Sequence, residues 1–266
     1  MLKYFFVIIF SSTTTLSSSL FAEGKITAYF ANDSINGFQI SDAYETHNMG
    51  VIYENHEHKI HVDLGIVTPD MHQYINEFRE ANRSYGEIVT FKYYPKFLVL
   101  GRKIDTYIQT TASGDFGLDR AQDFTHRILR LQPVGDINNK IQMPNNVWAG
   151  VGASFSQSIN HNTSFKTHGY LGSNSAFVDL SATQHVGILG QSIALDAGMR
   201  GVLFDEIVNA KPIQAQPRRV IPYIRIGTSF NLLGLELSVS NTISLPTIKA
   251  DESIYSRTQV SYEFEF

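Results

Sequence analysis

The residues of this chain whose types and places could do chemistry are the pair Asn32-Asp33, then Asn48, Arg83, Gln122 and His126. A histidine titrates near neutrality and suits proton abstraction. Gln122 and His126 are four apart, so on a helix they share one face. Arg83 offers a guanidinium that can grip a lipid phosphate through paired hydrogen bonds; its other reading is a rim residue whose stem snorkels over apolar surface. Asn32-Asp33 also reads as a strand-ending turn pair, and His126 as a surface histidine on a loop. A second group, His56, His58 and His61, clusters on one hairpin and invites a metal reading. A solvated turn at His56 and His58 explains it better. The first group spans positions 32 to 126, so its chemistry depends on a fold that gathers it.

The elements that must do the gathering are strands. Apolar and polar residues alternate in short runs with turn signals between them. Ile60, Val62, Leu64 and Ile66 alternate with His61, Asp63 and Gly65, and Leu235, Leu237, Val239 and Asn241 with Glu236, Ser238 and Ser240. At the end, Val260, Tyr262, Phe264 and Phe266 alternate with Ser261, Glu263 and Glu265. The pattern predicts strands at 25–32, 48–56, 59–67, 85–94, 98–112, 147–158, 163–172, 175–186, 191–204, 219–230, 235–245 and 255–266. That number is even, as a single-chain bacterial barrel requires. The connections sort by parity. Those at 54–58, 94–96, 159–162, 187–190 and 231–234 are short, while those at 33–47, 68–84, 113–146, 205–218 and 246–254 are long; 173–174 is the short exception on the long side. In an up-and-down barrel the short set is periplasmic and the long set extracellular. Asn32-Asp33, Asn48, Arg83 and the loop with His126 then all fall at the extracellular rim. Within that longest loop, Ala121, Phe124, Ile128 and Leu131 predict an amphipathic helix over 119–131, ended by Pro133.

Composition agrees with an outer-membrane barrel. Residues 1–22 read as a secretory signal, with Lys3 before the apolar Tyr4 to Phe10 and a cut near Ala22, leaving 23–266 as the barrel domain. No segment of the sequence has the roughly 20 apolar residues of a helical span. The chain has no cysteine, so no disulfide staples it. Its 13 tyrosines and 18 phenylalanines suit interfacial girdles. Charged residues are 17% and the formal charge is -4, which gives no reason to expect a nucleic-acid partner. A mean hydropathy of -0.10 is what averaging a lipid face against a lumen face yields.

The pieces Ala31–Ser34 (ANDS), Ser41–Gly50 (SDAYETHNMG), Val67–Asp70 (VTPD), Asn82–Gly86 (NRSYG), the Gln122-x-x-x-His126 pair and Gln132 to Gly135 (QPVG) occur in an order that resembles the outer-membrane lipid A 3'-O-deacylase family. The resemblance covers residues 26–152. It implies a twelve-stranded antiparallel barrel with a hydrolase site between the wall and an external loop helix. It further implies His126 as the general base toward water attacking an acyl ester. Asp33, helped by Asn32, would hold a divalent cation, calcium, at the oxyanion. Asn48, Arg83 and Gln122 would contact substrate. The implied partners are lipid A or lipopolysaccharide, the surrounding outer-membrane lipids and, during insertion, the barrel-assembly machinery, with the barrel acting as a monomer.

This chain departs from the family pattern. His47-Asn48 replaces a tyrosine-threonine pair, Ser84 stands where proline is common, Asp136 replaces a tryptophan and Lys140 a glutamine. Two other functions fit the same scaffold: an outer-membrane phospholipase, and a pore or adhesin without catalysis.

Overall fold

A computed structural model of the protein describes residues 24–32, 47–67, 86–95, 98–99, 102–117, 120, 143–188, 191–207, 216–232, 235–245 and 255–265. Its strands are β1 (Lys25–Asn32), β2 (His47–Glu54), β3 (His58–Val67), β4 (Gly86–Pro95), β5 (Leu98–Val99), β6 (Arg102–Gly114), β7 (Asn146–Ser158), β8 (Thr163–Gly172), β9 (Ser175–Ile188), β10 (Gln191–Asp205), β11 (Val220–Leu232), β12 (Leu235–Ser244) and β13 (Tyr255–Glu265). The two-residue β5 pairs with β6 beside the turn, so the strand expected at 98–112 is divided there. The other twelve each pair antiparallel with the next, and β13 returns to β1, from Lys25↔Glu265 to Asn32↔Thr258. A closed ring leaves no unpaired backbone edge, which is what a hydrocarbon environment demands. The expected strands otherwise coincide with the observed ones apart from a residue or two at their ends. Apart from Arg120, the helix expected over 119–131 lies outside the described residues, as does the signal over 1–22.

Local chemistry makes the tight turns. Between β2 and β3, the Asn55 side-chain oxygen accepts the N–H groups of Glu57 and His58 at 2.9 and 2.7 Å. Asn160 does the same for Asn162 between β7 and β8, at 2.9 Å. Such Asx turns reverse a strand within a few residues. The short connections other than 173–174 share one rim with Lys25 and Glu265, and the strand ends that the long ones join share the other, where 173–174 also lies.

Alternation sorts the side chains onto two faces. Val147, Val151, Leu195, Met199, Ile226, Tyr262 and Phe264 stand exposed on the outside. His61, Asp63, Lys92, Asp179, Arg200 and Arg225 line the interior. Apolar outside and polar inside is the reverse of a water-soluble protein, and the outer band is stable only against lipid. Ile224, 58% exposed near the middle of β11, tests this. Ile224→Arg should cost about 2–4 kcal/mol if its level is the bilayer midplane, read as a lower denaturant midpoint for the barrel in lipid vesicles.

The lumen is braced by tyrosines lying across glycines of neighbouring strands. A Cβ on Gly152 would run into the Tyr107 ring, and one on Gly50 into Tyr29. Tyr170 crosses Gly150 and Gly172, and Tyr223 crosses Gly198 in the same way. Each ring fills space that a wall side chain would otherwise occupy. Their hydroxyls are placed on partners: Tyr29 and Tyr107 at 2.8 and 2.7 Å from the Nε2 atoms of His61 and His168. Tyr170 donates to Asn174 at 2.8 Å and Tyr223 to Asp179 at 2.6 Å. Near the short-turn rim the lumen carries the ion pairs Lys25–Glu263 (2.6 Å) and Lys59–Glu54 (3.4 Å). Toward the long-connection rim it carries a buried apolar cluster of Val67, Ile88, Met143 and Ile207, with Trp148 packed against it.

Candidate active site at the long-connection rim

The candidate residues meet at the ends of the strands. β1 ends at Asn32, and β2 begins beside it at His47. The VTPD segment starts at Val67, which pairs with Gly86, the last residue of the NRSYG segment. β6 ends opposite them, with Glu87 paired to Gly114. Ser113 Oγ donates to the Pro144 carbonyl at 2.9 Å, so the connection that carries Gln122 and His126 leaves from and returns to this same rim. Five segments scattered over positions 31 to 146 therefore converge on one arc of the wall.

Across that arc runs one row of register partners: Asn241, Thr258, Asn32, His47, Ile66, Glu87 and Gly114. Strand alternation puts the row on the outer face, in line with exposed Ile226, Val62 and Phe91. On β12 and β13 the outer positions change character as they reach the rim. Asn241 Nδ2 donates to Ser256 Oγ at 3.1 Å and to Thr258 Oγ1 at 3.2 Å. On β4, Glu87 accepts the N–H of Phe116. Ser256 is 2% exposed and Glu87 1% exposed, although both stand on the outward face. Ordinary headgroup-level residues would be open to lipid or water. Here these two outward polar side chains are buried instead.

The strand ends and their register thus place the backbone of Asn32 in the polar outer row. Asn48 is placed differently. It pairs with Ala31, is buried, and faces the lumen beside Gly65. Asn32 and Asn48 are therefore on adjacent strands at one rim, on opposite faces of the wall. Asp33, Arg83, Gln122 and His126 lie outside the described residues, as do the side chains of Asn32 and His47.

Sequence reasoning missed Glu87, Ser256, Thr258 and Asn241 as parts of the row. A signal was present. Asn241 interrupts the outward series Leu235, Leu237, Val239 and Ile243, and Ser256 and Thr258 precede Val260, Tyr262 and Phe264 in theirs. A polar residue within or at the rim end of an outward apolar series marks a place where the wall departs from plain hydrocarbon contact.

The three histidines of the β2–β3 hairpin do not share a face. His58 bonds Tyr93 through Nδ1 at 2.9 Å on the outward side. His61 points into the lumen, where its Nε2 lies 3.0 Å from Asp63 Oδ1. His56 stands exposed on the turn beside Glu57, at 3.5 Å.

A closed ring of twelve antiparallel strands with an apolar exterior and a polar interior defines an outer-membrane β-barrel protein. No family profile and no curated protein sequence matches the chain. Among solved structures the chain is similar to LpxR from Salmonella typhimurium, with a TM-score of 0.67 and 13% identity over 91% of this chain and 100% of that one. It aligns more loosely with the NanC porin, at a TM-score of 0.47, 7% identity and 91% and 100% coverage. The KdgM porin in complex with disordered oligogalacturonate gives 0.43, 6% identity, and 91% and 99% coverage. At 13% identity the likeness to LpxR shows the fold alone.

Proposed function

We propose that this protein is an outer-membrane lipid A deacylase, hydrolysing an ester-linked acyl chain of lipid A in the outer leaflet. The observation that carries the reading is the polar row on the outer wall. It sets the backbone of Asn32 between His47 and Thr258, in one register row with the rim ends of β3, β4 and β6. The likeness of fold to LpxR, a lipid A deacylase, supports it.

In this reading His126 removes a proton from water as the water oxygen adds to the acyl carbonyl carbon. The carbonyl oxygen takes the negative charge. When the intermediate collapses, the C–O ester bond breaks, and the proton held by His126 passes to the departing sugar oxygen. The products are a free fatty acid and lipid A with one hydroxyl restored. Gln122, four residues before His126 in sequence, would contact substrate beside it, and Arg83 would pair with a lipid A phosphate. Asn32 and Asp33 offer an amide and a carboxylate oxygen, a hard donor set that fits calcium. When bound, the cation would supply charge stabilisation at the oxyanion. Asn48, on the lumen face, is left to wall packing.

Lipid A from cells with and without the protein distinguishes the readings by mass spectrometry. The expected result is loss of one acyl or acyloxyacyl group, suppressed when calcium is chelated. Unchanged lipid A with phospholipids that have lost a chain would make the protein a phospholipase. If neither lipid changes while folded barrel is abundant, it is not a lipid hydrolase.

A further inference from the structure

The barrel lumen holds a chamber of about 630 Å³, touched by eleven of the twelve wall strands, that the proposed deacylase site does not use. Its charged groups are unevenly committed. The three carboxylates on its lining all accept from protein donors. Asp63 accepts from Lys92 at 3.5 Å, with His61 Nε2 3.0 Å from its Oδ1. Asp179 takes Tyr223 on Oδ1, and Nε and Nη2 of Arg200 on Oδ2 at 3.1 and 3.0 Å. Asp205 accepts the N–H of Ile207 at 3.0 Å.

Three of its cations are less completely used. Arg200 spends Nε and Nη2 on Asp179 and keeps Nη1, with its side chain 45% exposed to the chamber. Arg225 donates Nε to Thr242 at 3.1 Å, while its Nη1 is 3.9 Å from Asp196, beyond hydrogen-bond distance. Its side chain is 50% exposed. Lys92 has a contact of 3.5 Å to Asp63 for three N–H donors. A cavity whose acceptors are turned into the wall and whose donors face inward is matched by a ligand rich in acceptors. The guanidinium groups also lie near rings: Arg200 is 4.6 Å over the Phe177 ring, and Arg225 5.9 Å from that of Tyr223. Cation–π contacts of this kind restrict a guanidinium before any ligand arrives, which lowers the cost of ordering it on binding.

We infer that the lumen chamber is a second binding site, separate from the rim, for a small solute carrying a carboxylate or phosphate oxyanion held by Arg200, Arg225 and Lys92. The stacked pair Tyr107 and Tyr170, 6.2 Å apart and 6° from parallel, lies at the chamber wall and offers the remainder of the solute a flat face. This inference does not rest on the deacylase reading, because no residue of the rim row contributes to it.

The test is calorimetric titration of the full barrel, folded in neutral detergent, with D-glucuronate, D-glucose 6-phosphate and D-glucose. These three probes have similar size and differ in charge. At least one of the anions is expected to bind saturably, about tenfold or more tighter than glucose. That affinity should fall as salt rises. Binding of glucuronate alone assigns the site to carboxylates, and of the phosphate ester alone to phosphates. Arg225→Gln should weaken binding about tenfold or more while the barrel keeps its heat-modifiable migration. Arg200→Gln should do the same, and Arg225→Gln remains decisive if loss of the Asp179 pair prevents folding. The inference is overturned if neither anion gives a saturable signal, if glucose binds as well as they do, or if Arg225→Gln binds like the parent.

Discussion

His126→Ala is expected to leave a folded barrel that has lost deacylation by about 10²–10⁴-fold, the usual worth of a positioned general base. The segment holding His126 leaves β6 and re-enters β7 at the rim where Asn32 stands, and Ser113 ties the return at Pro144. A residue so tethered can reach the outer row without disturbing the wall. Asp33→Ala should abolish activity similarly, because it removes the carboxylate of the proposed calcium pair. Both variants should keep the unheated barrel's faster electrophoretic migration. Activity is read as the fraction of lipid A that loses an acyl chain. If either variant turns over at the parental rate, its assigned role is wrong; if either loses heat-modifiable migration, the residue is structural.

Gly152→Val should damage the fold instead of the chemistry. Tyr107 lies directly across Gly152, so a side chain there must displace the ring. The ring is held from several sides: 4.9 Å from Tyr94, stacked on Tyr170, and bonded to His168 at 2.7 Å. Overpacking of this kind costs about 1–3 kcal/mol, and the lost hydroxyl partner adds to it. The expected readout is a lower unfolding midpoint in vesicles. The double variant Gly152→Val with Tyr107→Ala should recover part of the loss, since the ring that clashes is gone. No recovery would mean that the glycine serves backbone geometry alone.

Most of the wall was legible because a membrane barrel repeats one physical rule twelve times. Ile60 to Ile66 and Val260 to Phe264 display it openly, and connection length separates the two rims independently of any strand. The division at β5 was hidden, since Leu98 and Val99 are as apolar as a continuous strand would need. The site was legible only as a place. The motifs ANDS and SDAYETHNMG could be put at one rim, but the pairing Ala31↔Asn48 decides that Asn48 faces inward while Asn32 occupies the outer row. A slip of one residue would reverse both, and nothing local to either segment fixes that register. It is set by the turn at Asn55 and by closure against β13. The polar ends of β12 and β13 were overlooked for a related reason: they matter only as neighbours of β1, more than 200 positions away in the chain.

That neighbourhood has a consequence for when the protein can act. The row joins Asn241 and Thr258, from the last two strands to be synthesised, to Asn32 and His47, from the first two. The join is the β1–β13 seam itself. A chain in transit, threaded but not yet zipped shut, holds the two parts of the row at opposite ends of an open sheet. In the proposed deacylase reading, competence is thus coupled to the final pairing event, and a hydrolase that could attack the lipids of its own route would stay inert until it had arrived.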